Sequence, residues 1–365
     1  MHGTGVDLSP VVDDPRATIR NMSRASADAV YLRRLHHDVV NRPPSPAELG
    51  ALQGMPLDRV SKQVWRRREA MEEWLEEELY FYLLIDRFRP RTPAIEDLPD
   101  RLARGRASAR DATAEILLST GFSLRNPGND TFVTVVLEQC LGMKVQERKG
   151  AAELEAGKQM YDGRTAKLCG QEGSSQSDIV RIALGQDAFR ARLLDRHHQR
   201  FFGRPMKSRG DKFVADTVAA LRGDEAGFFA TLAEWTASDE YLEATRTRKA
   251  RTQRQLVRAL YFDVLERAPD YEEMRNMRNA LQSMADPTPL RAVLAKLLLD
   301  AKAAKLPGLE RGKEAEYVRQ CFLRYLGREP TQGEASRYTE TLRDPEADPK
   351  LVPRALLGSV EYGYC

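Results

Sequence analysis

Six apolar or aromatic positions recur at four places along the chain with the same spacing. Before Arg328 they are Tyr317, Val318, Cys321, Phe322, Tyr325 and Leu326, and before Arg267 they are Leu256, Val257, Leu260, Tyr261, Val264 and Leu265. Before Arg42 they are Tyr31, Leu32, Leu35, His36, Val39 and Val40, and before Arg204 they are Leu193, Leu194, His197, His198, Phe201 and Phe202. In each segment they lie 11, 10, 7, 6, 3 and 2 residues upstream of the arginine. Pairs that return every four residues form one face of a helix, so each segment is predicted as an amphipathic helix of about three turns.

A stop and a restart follow each stripe. The segments read "NRPP" from Asn41, "GRPM" from Gly203, "ERAP" from Glu266 and "GREP" from Gly327. Glycine or a polar residue ends the first helix, and proline soon follows. Ser45 with Glu48, and Thr331 with Glu334, have capping-box spacing for a second helix, and Asp270 with Glu273 is a variant of it. In the second unit Ser208 is the nearest cap. Each of the last three units closes on a further helical stretch: "AGFFATLAEWTASDEYLEA", "PLRAVLAKLLLDAKAA" and "KLVPRALLGSVEYGYC". The last three arginines are 63 and 61 residues apart, whereas the first precedes the second by 162. Something is therefore inserted between the first two units.

This predicts an all-α chain of tandem helical modules with an irregular inserted segment. The expected divisions are an N-terminal helical module at 1–120, a loop-rich insertion at 121–187, and modules at 188–250, 251–305 and 306–365. The insertion opens with turn chemistry at Asn126-Pro127-Gly128-Asn129-Asp130. It continues through an apolar stretch that suits helix or strand. A Gly-, Ser- and Gln-rich run then leads to Ser177 and Asp178, a candidate cap.

The aromatic-rich helix, the "LGREPT" joint, the second helix and a closing "S-x-E-Y" together resemble the phycobilisome linker domain. They also resemble a related helical repeat of bacterial surface and exported proteins. "YLRRLHHDVVNRPPSPAEL" is similar to the opening of another bacterial family with a "DLxGxPPTPxE" signature. The resemblance covers residues 30–50 and about 188–365. It implies helical modules used in assembly. No bilin-binding cysteine is evident, so a photosynthetic role is not implied.

Composition narrows the classes. Hydrophobic residues make up 42% and charged residues 30%, which suits a cored protein with charged faces rather than a disordered chain. A net charge of +3 from 57 basic and 54 acidic residues lacks the excess of a dedicated nucleic-acid binder. The most basic run, at 246–258, has no interleaved aromatics for base stacking and reads as a linker and a solvated helix face. Nucleic-acid binding through it is a further alternative. No stretch reaches the ~20 apolar residues of a membrane span. The first thirty residues lack a signal-peptide core, so a cytoplasmic location is expected unless a signal has been removed. "WRRREAMEEWLEEELYFYLLI", from Trp65, reads as one long helix buried in its C-terminal half.

Candidate chemistry is sparse. His36 and His198 stand where Tyr261 and Phe322 stand in the other units, so they read as core residues rather than metal ligands. His37 falls on the polar side of its helix. Cys140, Cys169, Cys321 and Cys365 form no metal or haem motif. A Cys140–Cys169 disulfide is open in an oxidising compartment. "GQEGSSQSD" lacks phosphate-loop spacing.

No catalytic, cofactor or metal set is expected. Two readings of function remain. The first is a non-enzymatic helical scaffold that binds other proteins or itself, with Arg42, Arg204, Arg267 and Arg328 as structural joints. The second is a hydrolase-like enzyme with its site in the insertion, around Asp130, Tyr161, Asp162 and Cys169.

Overall fold

The computed structural model describes residues 26–85, 91–222, 227–247 and 249–364. The N-terminal stretch weighed as a signal peptide, Arg248 of the basic run and Cys365 lie outside the described residues. Among the described residues the chain is all-α but for one small hairpin.

The first module is α1 (Ala29–Val39), α2 (Pro46–Leu52) and α3 (Leu57–Trp65). Then come α4 (Arg68–Leu83), α5 (Pro93–Ala103), α6 (Ala109–Leu117), α7 (Thr120–Arg125), α8 (Gly128–Val135) and α9 (Arg148–Tyr161). Strands β1 (Ala166–Leu168) and β2 (Gln171–Gly173) pair antiparallel, and α10 (Gln176–Leu184) follows. The second module is α11 (Asp187–Phe202), α12 (Asp211–Ala220), α13 (Gly227–Thr236) and α14 (Asp239–Arg246). The third is α15 (Gln253–Leu265), α16 (Tyr271–Gln282) and α17 (Thr288–Leu299). The fourth is α18 (Glu314–Leu326), α19 (Gln332–Leu342) and α20 (Leu351–Leu357), closed by a 3-10 turn at Glu361–Gly363.

The apolar stripes face inward in all four first helices. Tyr31, Leu35, Leu194, Phe201, Val257, Leu260, Val318 and Phe322 are each buried. Each such side chain stabilises the fold by roughly 1.5–3 kcal/mol through burial.

The modules do not form a row. They pair: α3 packs on α13, joining the first and second modules, and α17 packs on α20, joining the third and fourth. Accordingly there are two hydrophobic cores, one running from Ala27 to Tyr241 and one from Leu256 to Tyr362. The expected run of three modules from about 188 to 365 is thus divided between the cores. The second module packs back, across the inserted segment, onto the first.

That insertion is larger and more ordered than the sequence suggested. It begins with α4 rather than at residue 121, and 121–187 is mostly helix. The apolar stretch after Asp130 is α8 continued by a π-helical turn at Val136–Cys140. It suits helix because its buried positions, Phe132, Val133, Val136, Leu137 and Cys140, recur at helical spacing. Gly157 lets α9 lie close on α8, since a Cβ there would come within 2.4 Å of Val133 Cγ1. The Gly- and Ser-rich run is the hairpin, whose two-residue turn, Cys169-Gly170, has φ of 47° and 78°. Positive φ at both positions is the primed turn that suits the twist of paired strands. Ser175, not Ser177, caps α10, by accepting from the Asp178 backbone N–H.

Three local expectations also shift. The long helix expected from Trp65 is α4, but it starts at Arg68, because Trp65 ends α3 and Arg67 stands extended between the two. Ser208 lies inside a 3-10 turn, and α12 starts uncapped after Gly210. His37 is only 2% exposed, as buried in practice as His36 and His198. Its helix has no free face, because α1 sits between its own module and the residues that open the third.

Candidate functional site

The four arginines stand at one repeated joint. The residue before each, Asn41, Gly203, Glu266 or Gly327, has left-handed φ between 52° and 71°. That conformation ends the first helix and turns the next residue toward the start of the second. Gly327 needs glycine for a further reason: a Cβ there would lie 2.6 Å from Arg33 Cδ.

In the first, third and fourth modules the guanidinium grips the glutamate six residues on. Arg42 Nη1 and Nη2 donate to Glu48 at 2.7 and 2.9 Å. Arg267 does so to Glu273 at 2.7 and 2.6 Å, and Arg328 to Glu334 at 2.9 and 2.9 Å. The same glutamate closes the capping box of its own helix with Ser45, Asp270 or Thr331. Nη1 also donates to the next carbonyl, that of Pro43, Ala268 or Glu329, at 3.0 Å in each module. One side chain therefore ties the stop to the restart with planar bidentate bonds, which a lysine cannot reproduce.

A second carboxylate arrives from a few residues beyond the third helix. Arg42 Nε and Nη2 donate to Glu69 at 2.6 and 2.9 Å, and Arg328 donates likewise to Glu361 at 2.7 and 2.8 Å. Arg204 donates to Glu240 through Nη2 alone, Gly210 stands where the capping glutamate would be, and Arg204 Nη1 bonds Ser208 Oγ at 3.3 Å instead. The carboxylates that meet the joint arginines come from the arginine's own module, except Glu69, which stands at the start of α4 just beyond it.

The charge environment follows. The bonds from Arg328 hold the Glu334 carboxyl down to about 2. Burial pushes Glu48 up, but the bonds from Arg42 and the Ser45 backbone outweigh it and hold it well below the ordinary range. Arg267 lowers Glu273. Burial lowers His36 to about 4, against the pull of Glu48. Burial, with Arg251 next, holds His37 far below its usual value.

A second set of polar residues joins the modules in pairs. Four residues before the arginine the chain carries Asp38, Arg200, Asp263 and Arg324, alternating in sign. Arg200 donates to the Asp38 carbonyl, and Arg324 donates to the Asp263 carbonyl at 2.7 Å. From the closing turn of the even modules, Tyr241 OH donates to Asp38 Oδ2 at 3.0 Å and Tyr362 OH to Asp263 Oδ2 at 2.7 Å. The two pairs thus use the same acid, arginine and tyrosine in the same places. The alternation was visible in the sequence, in the frame that gave the stripes, but only apolar positions were compared there.

The pairs meet through charge. Arg33 reaches across to Asp263 at 3.2 Å and to the Arg324 carbonyl, and Arg258 pairs with Glu73 at 2.8 Å. Arg42 lies 5.2 Å over the Phe262 ring. Part of the basic run at 246–258 is used here as well: Arg251 donates to the Tyr362 carbonyl at 2.5 Å and Lys249 lies 3.5 Å from Asp38. A cavity of about 470 Å³ opens beside it, lined by Glu73, Glu77, Arg196, Arg200 and His197 among others.

Three residues of the enzyme reading, Asp130, Tyr161 and Asp162, lie along the contact of α8 with α9, and the fourth, Cys169, is not among their partners. Asp130 lies by Lys158 at 3.4 Å, and Asp162 accepts from Asn129 at 3.1 Å, both at the surface. Tyr161 packs on Phe132 with ring centroids 5.4 Å apart. Cys169 is elsewhere, at the hairpin tip, where it lines a cavity of about 910 Å³ with Glu153, Lys149 and Arg190. Cys140 and Cys169 are both free thiols, and burial raises the Cys140 thiol to about 12. Among the described residues no three His, Cys, Asp or Glu side chains are grouped to hold a metal ion, and no helix is long and apolar enough to cross a membrane.

Comparison with family models, with curated proteins and with solved structures returns no match.

Proposed function

We propose that this chain is a helical scaffold that mediates protein–protein assembly and carries no chemistry of its own. One observation supports this most. The residues the chain repeats, the stripes, the four arginines, the capping glutamates and the Asp–Arg–Tyr sets, all make or join modules. A chain that repeats its joints presents long composite surfaces, as repeat proteins do. The likeness of the joint to the phycobilisome linker domain agrees with a role in assembly. The test is cross-linking of the intact protein in native extract, followed by quantitative mass spectrometry. A partner held in fixed ratio through several exposed lysines is expected. Recovery of the chain alone, at every concentration tried, would contradict the reading.

A second reading has its own observation. Cys169 is held at positive φ over the cavity of about 910 Å³, beside Glu153, which accepts from its backbone N–H at 2.7 Å. A hydrolase built there would turn over a thioester or ester probe and lose that turnover in Cys169→Ser. No turnover, or turnover unchanged by Cys169→Ser, returns the weight to the scaffold.

A further inference from the structure

The joint of the third module follows the common plan with one part absent, and the absent part is a carboxylate. The third helix of every module ends with the same two backbone bonds. They run from Arg66 to Lys62 and Arg67 to Val64, from Ala237 to Ala233 and Ser238 to Trp235, from Asp300 to Lys296 and Ala301 to Leu298, and from Gly358 to Arg354 and Ser359 to Leu356. Two residues beyond the second bond stand Glu69, Glu240, Ala303 and Glu361. Three of these are the acids that meet the joint arginine. The third module has a methyl group there.

Arg267 is nevertheless held in the common pose. Its Nη1 and Nη2 are fixed by Glu273 and by the Ala268 carbonyl, as Arg328 is fixed by Glu334 and the Glu329 carbonyl. The ring at the fourth stripe position backs both guanidiniums: Tyr261 at 5.2 Å from Arg267, and Phe322 at 5.1 Å from Arg328. What differs is the remaining edge, Nε with the outer Nη2 hydrogen. Glu69 covers it in Arg42 and Glu361 covers it in Arg328, whose side chains are 11% and 28% exposed, whereas Arg267 is 48% exposed. Lys302, exposed, stands where Val360 stands in the fourth module.

We propose that the Nε–Nη2 edge of Arg267 is the docking point for an aspartate or glutamate side chain of a partner protein, which completes the third joint in trans. The guanidinium is preorganised by Glu273, so little rotamer freedom is lost on binding. Arg328 already shows that one guanidinium accommodates two carboxylates in this frame. The acid is not one of this chain's own joint glutamates, since Glu69, Glu240 and Glu361 are engaged in their own joints. The proposal rests on the assembly reading and names one contact of it.

The probe is a peptide with the sequence of residues 356–363, LLGSVEYG, added to the intact protein labelled with 15N-arginine. The Arg267 Nε–Hε signal, assigned with Arg267→Lys, is expected to shift saturably. Glutamine in place of the peptide's glutamate should weaken the response by about tenfold or more. Ala303→Glu should fill the edge in cis, abolish the response and raise the melting temperature by about 1–3 °C. An absent shift, an equal shift with the glutamine peptide, or an equal shift with inorganic phosphate would each overturn the proposal. So would an Ala303→Glu variant that melts no higher and still responds. If a partner cross-linked to the wild type is kept in full by Arg267→Ala, the docking point is wrong while the scaffold stands.

Discussion

The two module pairs share a frame but fill it differently. In the first pair the fourth stripe position holds His36 and His198, and in the second it holds Tyr261 and Phe322. The first pair carries the segment from α4 to α10 between its modules, while residues 300–313 suffice in the second. The described histidines all lie in the first pair, where Asp38, Arg34, Glu73 and Glu78 are buried charges as well. The shared parts are therefore those the pairing needs: a ring of any kind on the stripe, an arginine with at least one glutamate, and the Asp–Arg–Tyr contact. The rest varies without loss of the frame.

That contact should be the costliest to break. Asp263→Ala leaves the buried Arg33 without its carboxylate and the buried Tyr362 hydroxyl without its acceptor, a change worth about 3–5 kcal/mol for a buried charge pair. Asp38→Ala should cost about as much in the first pair, since Arg34 and Tyr241 lose theirs. Urea denaturation reads both. A loss under about 1 kcal/mol at either site, the range of an exposed pair, would show that this contact does not hold the modules together.

The joints should rank by their carboxylates. Arg42→Ala removes a mostly buried guanidinium from two glutamates and is expected to cost about 2–3 kcal/mol. Arg267→Ala removes a half-exposed one from a single glutamate, and solvent screening limits its cost to about 0.2–1 kcal/mol. Arg328→Ala should fall between. Thermal melts of the three variants give the order, and equal losses would remove the distinction between closed and open joints.

The smallest effect, just below neutral pH, should separate the pairs. The folded chain holds His36 near about 4, mainly by burial, against an ordinary value of 6.5. The unfolded chain therefore binds more protons between these values, so stability falls as pH drops through that window. Glu334 is depressed to about 2 from 4.5, so its contribution is intact above pH 4.5 and fades only as pH falls toward 2. Hydrogen exchange at pH 7 and 5.5 should show α1 and α11 losing protection before α15 and α18. Uniform loss would mean that the histidines do not set the acid response.

The helices were legible because their stripes and caps are local: Ser45, Asp270 and Thr331 cap the helices that their spacing announced. The arginine positions were legible, but their partners were not. Glu69 and Glu361 lie 27 and 33 residues downstream and share no motif that periodicity detects. The burial of His37 was missed because one helix's pattern describes one neighbour, and α1 has two. The pairing of modules was missed because equal spacing of the last three arginines suggested a row. Packing follows instead the alternating charges Asp38, Arg200, Asp263 and Arg324, which make odd and even modules complementary.

The measurement that bears most directly on pairing compares two fragments, 249–365 and 188–365, in urea with amide protection read helix by helix. If modules fold as pairs, 249–365 unfolds cooperatively as an independent unit. In 188–365 the added α11 to α14 then show little protection and leave the midpoint unchanged, because their partner module is missing. If 249–365 is unfolded while 188–365 folds as one cooperative unit with α11 protected, the modules form a row and the pairing account is wrong.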